Sequence, residues 1–163
     1  MSGLDTTSTS LDLTSILGDL VVQLEALGAL LVREADALAV GDHEKLLSLI
    51  EDKQRLGIHL MGLYQTLNAR LSAAGYDADG QGLALYVQDR PSDQPLTARY
   101  QKSLKGLRGC AMLNQDNGSL VQRRRLAVAR ALRLLMEPFN GDRRYHPDGR
   151  LEHVGPNRFF GEA

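Results

Sequence analysis

A chain of 163 residues, 43% hydrophobic and without tryptophan, has the size of one domain and the balance of an ordinary soluble protein. Aromatics make up only 5% while leucine and alanine abound, which favours helices over a β-sandwich or barrel. Its lone cysteine, Cys110, excludes an intrachain disulfide framework and any multi-cysteine zinc site. Net charge is −1, yet residues 1–60 hold ten acidic and four basic side chains, whereas residues 99–133 hold nine basic and one acidic, Asp116. That polarity fits either nucleic-acid binding or attraction between two parts of one molecule.

The N-terminal "MSGLDTTSTS" has neither the basic start nor the apolar core of a signal peptide. No apolar run approaches the roughly 18 residues of a membrane span, so a cytoplasmic location without membrane insertion is expected. Leu13, Leu17, Leu20, Leu24, Leu27, Leu31, Glu34 and Leu38 then follow in alternating steps of four and three. This heptad seam predicts a helix over about 11–39, with Thr9 and Asp12 able to form its capping box.

Gly41-Asp42 breaks the pattern, and Asp42 is a good N-cap for a second helix over about 43–74. Its seam is Leu46, Leu49, Lys53, Leu56, Leu60, Leu63 and Leu67, ending where Gly75 suits a left-handed residue. Two such helices make an antiparallel hairpin. Folding it about Gly41-Asp42 brings the one charge in each seam, Glu34 and Lys53, to one level, as a partly buried ion pair that fixes register.

Residues 75–94 read as a connector, "YDADGQG" and "RPSDQP" being turn chemistry around a short apolar run, Leu83 to Val87, able to make a short helix. Asp77, Asp79 and Gly82 imitate positions 1, 3 and 6 of a calcium loop. Gln81, Leu85 and Gln88 stand where further ligands belong, which excludes that reading.

A third helix is predicted over about 95–137, from Pro95 to its stop at Pro138. Its seam runs Leu96, Tyr100, Leu104, Leu107, Ala111, Asn114, Gly118, Val121, Arg125, Val128, Leu132, Leu135. The spacing keeps phase across Asn117-Gly118, so this turn-like pair belongs inside the helix, with Gly118 on the buried face. There a small residue would permit close packing or leave room for a partner. Leu113, Leu120, Leu126 and Leu134 lie beyond the seam and suggest an uncovered groove. The irregular remainder, 138–163, is expected to be a flexible tail that orders on a partner.

No enzyme signature emerges. His43, His59, His146 and His153 form no ligand set, Cys110 has no neighbouring histidine, and the glycines make no phosphate loop. No cofactor or metal is expected. The expected fold is all-α: a helical domain over 1–137, a long hairpin plus a third helix in a coiled-coil-like array, followed by the tail.

"LNQDNGSLV" (113–121), followed by Arg124, Ala131-Leu132, Pro138 and "YHPDG" (145–149), resembles the C-terminal half of FlgN-type flagellar export chaperones. In that family an "LNxxNGxL" segment lies in the last long helix and a "YxxDG" turn follows in the tail. The resemblance implies a cytoplasmic helical chaperone that binds hook–filament junction proteins through their helical C-terminal segments. It would prevent their premature assembly and deliver them to the flagellar type III export gate. Leu113, Asn114, Asn117, Gly118, Leu120 and Val121 would then face cargo, and Tyr145, Asp148 and Gly149 the gate. His146-Pro147 and Arg123-Arg124-Arg125 depart from the family pattern. The residues alone leave two rivals, a basic-helix nucleic-acid binder and a self-associating structural coiled coil. Against the first, successive arginines point about 100° apart and make no single stripe.

Overall fold

The computed structural model describes residues 3–140, 143–145 and 151–153, with side chains described over 13–134. Four helices, α1 (Gly3–Val40), α2 (His43–Ala73), α3 (Gly80–Gln88) and α4 (Gln94–Asn140), precede two strands, β1 (Arg143–Tyr145) and β2 (Leu151–His153). The chain divides into two compact units, 1–120 and 121–163, with α4 contributing to both.

In the first unit the α1 seam is the core. Leu13, Leu17, Leu20, Leu24, Leu31 and Leu38 are all buried. By length and composition Leu13–Val40 would also suffice to cross a membrane, with a mean hydropathy of 1.7. That corrects the expectation that no run reaches such a length. Core helices of soluble proteins meet the same criterion, and these leucines pack on other helices.

Helix α1 ends in Gly41, whose φ of 78° is the left-handed conformation that suits glycine. The Asp42 carboxylate then accepts from the Lys45 backbone N–H at 3.0 Å and starts α2. Helix α2 runs back antiparallel, so Leu67 and Leu71 meet Leu13 and Leu17. At its far end Gly75, with φ 84°, ends the helix in the same way.

The connector contains the short helix its apolar run allows, α3, and that helix also contributes to the core. Asp79 caps α3 by accepting from the Gly82 N–H at 2.7 Å, which is the service these calcium-loop look-alikes perform. A Cβ at Gly82 would lie 2.0 Å from the Asp77 carbonyl oxygen, so the cap requires glycine. Leu83, Tyr86 and Val87 are buried with Leu13, Leu17 and Leu96. The Arg90 guanidinium stacks 3.7 Å from the Tyr86 ring and donates to the Tyr86 carbonyl at 3.0 Å, fastening α3 to the next turn.

Asp93 caps α4, accepting from the Leu96 N–H at 3.1 Å. Contacts from α4 to α1 preserve chain order: Arg99 to Thr14, Cys110 to Leu24, Asn117 to Leu31. The two helices are therefore parallel, and α1 lies between α2 and α4.

Two boundaries differ from the sequence reading. Helix α1 begins at Gly3, so Thr9 and Asp12 lie inside it instead of capping it. Helix α4 continues through Pro138 to Asn140. Proline's missing N–H and its clash with the carbonyl four residues back do not by themselves end a helix here.

Within 138–163, the segment expected as a flexible tail, β1 and β2 pair antiparallel, with Tyr145 opposite Leu151. Three-residue strands are too short to announce themselves by alternation. His146, Pro147, Asp148 and Gly149 of the turn motif lie outside the described residues.

Candidate partner-binding groove

Helix α4 carries two adjacent stripes. One repeats every seven residues, Leu96, Ser103, Cys110, Asn117, and these four side chains are buried. Half-buried Gly106 and Leu113 lie between them, Gly106 meeting Leu24 and Leu113 packing on the cluster of Leu24, Leu31 and Cys110. This stripe of mostly small or polar residues seats α4 on α1.

The other stripe, Tyr100, Leu104, Leu107, Ala111 and Asn114, is the one the hydrophobic period singles out. It lines an open groove of about 610 Å³. The opposite wall is α2, with Leu60, Met61, Tyr64 and Leu67, and the floor is the α1 seam from Leu17 to Leu31. Leu107 is 50% exposed and Met61 63%. Leucine in such a setting is unfavourable in water and gains by being covered.

Between Tyr100 and Asn114, core and groove have thus exchanged places relative to the sequence reading. The seam expected to be buried is the groove wall, while Leu113, expected at an uncovered groove, packs inside the chain. Neighbouring helix positions are about 100° apart, so a one-step shift of stripe turns a different face inward.

One end of the groove is polar. Lys53 Nζ donates to both carboxylate oxygens of Glu34, at 3.2 and 3.1 Å. The Asn117 amide nitrogen donates to the same carboxylate at 2.8 Å and to the Leu31 carbonyl at 2.8 Å. Three helices are thereby tied at one level. The Glu34 side chain is 12% exposed and Lys53 32%, with Lys53 lining the groove.

The residues of the asparagine-rich segment consequently differ in situation. Asn117 serves the chain itself, and Asn114 faces the groove. Gly118 is exposed, and a Cβ added there would meet no atom within 4 Å, so it is not close-packed within the chain as the seam implied. Leu120 is half-buried and Val121 exposed, while Tyr145 stands in β1 of the second unit.

Cys110 is buried beneath the groove, with its thiol directed at the Leu24 carbonyl at 3.3 Å. Burial raises its pKa above that of a free thiol, which suits packing and disfavours nucleophilic use. Tyr64, Leu104 and Leu107 escaped notice as binding residues because exposed and buried leucines look alike in a sequence. The signal that could have found them is the pair of adjacent stripes in α4, more than one neighbour needs.

This arrangement offers a leucine-rich trough bounded by helices, the form in which an amphipathic helix is received. No curated protein and no solved structure matches the chain. The family model for the FlgN protein matches residues 9–153, nearly the whole length, and the chain belongs to that family of flagellar export chaperones.

Proposed function

We propose that the groove between α2 and α4 receives a helical C-terminal segment of a hook–filament junction protein. Held there, the segment's apolar face is unavailable for premature assembly in the cytoplasm until the complex reaches the export gate. The observation that carries this reading is the direction of the α4 stripe Tyr100, Leu104, Leu107, Ala111: the helix's regular apolar face is left open. A chaperone of assembly segments needs such a face, because the segment it guards is itself a helix that packs by leucine seams.

Docking at the gate is assigned to the second unit, through Tyr145, Asp148 and Gly149. That assignment rests on the family's tail motif and on the separation of Tyr145 from the groove residues in the chain's division into units. Hydrogen exchange on the chain alone and with a hook–filament junction protein's C-terminal segment tests the cargo site. Protection should appear in 57–67 and 100–114. Protection confined to 121–163 would contradict it.

A further inference from the structure

We infer that the groove reads a side-chain oxygen acceptor on its occupant, at the level of Lys53. This rests on the groove being the cargo site and adds a register and a partner chemistry to it.

Among the described residues, Lys53 is the one cation lining a groove that is otherwise mostly leucine. An ammonium has three N–H donors and no acceptor. Two are directed at Glu34 Oε1 and Oε2, at 3.2 and 3.1 Å, and the side chain remains 32% exposed, which leaves the third donor to water. An occupant that lies along the groove removes that water. An apolar residue placed over the ammonium would leave a desolvated charge donor unsatisfied. A carboxylate or carboxamide oxygen there would satisfy it.

Asn114 lines the groove as well, and it is exposed, with an amide that both donates and accepts. The floor runs from Leu17 to Leu31, roughly 21 Å at about 1.5 Å per residue, or about four helical turns. The fitting partner is therefore an amphipathic helix of about four turns, with a leucine-type seam and a Glu, Asp, Gln or Asn near one end. Sliding by one heptad would put leucine on Lys53 and the acceptor on leucine, so the pair fixes register as a single polar seam residue does in coiled coils.

The test uses the full chain and 18-residue leucine-seam peptides in which one seam position at a time is Leu, Glu, Gln or Lys, with affinity read by fluorescence anisotropy. At one position near an end of the seam, Glu or Gln should bind about tenfold tighter than Leu, and Lys weakest. The exchange Glu34→Lys with Lys53→Glu keeps the pair and turns a carboxylate to the groove. At that same position it should prefer Lys. Should the exchange variant fail to fold by circular dichroism, the wild-type series decides alone. Equal binding of Leu and Glu peptides at every position would overturn the acceptor while leaving the groove reading intact. Absence of binding by every peptide would overturn both.

Discussion

Asn117 and Gly118 look like a turn in sequence and sit in mid-helix for unrelated reasons. The asparagine amide replaces a hydrophobic contact with two hydrogen bonds into α1, each 2.8 Å long. Asn117→Ala should cost about 1–3 kcal/mol, because Glu34 and the Leu31 carbonyl lose a partner in a mostly buried site. Gly118 meets nothing, so Gly118→Ala should add up to about 1 kcal/mol through helix propensity alone. Urea unfolding of both variants checks the pair, and a loss at Gly118 would mean the glycine is needed for packing in the free chain. Cys110 gives a second check. With its pKa raised by burial, its thiolate forms only at a higher pH than a free thiol's. Ellman's reagent should therefore label the native chain much more slowly than the urea-unfolded chain at the same pH. Matching rates would contradict its burial.

At the scale of elements, the hairpin was legible because each of its helices carries one regular apolar stripe and a tight connection turns the second back on the first. Leu13 to Leu38 and Leu46 to Leu67 name their own core, and the two polar interruptions, Glu34 and Lys53, meet across it 3.1 Å apart. Helix α4 was legible as a helix but not in its orientation. Ser103, Cys110 and Asn117 bury well because each is small or hydrogen-bonded, and a hydrophobic count ranks them below Leu104 and Leu107. Hydrophobic periodicity marks a face that gains by being covered; it does not say whether the cover belongs to the same chain. The ladder of β1 and β2 was invisible for a different reason, since its stability depends on pairing between strands and not on a pattern within either. The proposed function gives Tyr145, in β1, to gate docking and not to cargo. Tyr145→Ala should keep cargo affinity and weaken binding to the cytoplasmic domain of the export gate, measured by calorimetry on the same sample. Lost cargo affinity with gate binding intact would reverse that assignment.

For the whole molecule, the proposed function amounts to a first unit that lacks one helix and takes it from an export cargo. Its α1 has neighbours in α2 and α4, and the groove between them is walled by apolar side chains of which Leu60, Leu104 and Leu107 stay partly exposed in the free chain. The direct measurement is the affinity of the chain for a hook–filament junction protein's C-terminal segment, compared between Leu107→Glu and Leu126→Glu. Both leucines are 50% exposed, so either variant should stay within about 0.5 kcal/mol of the original stability. Leu107 lines the groove and Leu126 does not. Leu107→Glu should weaken cargo binding by about tenfold or more, because the complex would have to bury an unpaired carboxylate. Leu126→Glu should leave it unchanged. Unaltered binding by Leu107→Glu, or an equal loss from both, would contradict the groove as the cargo site.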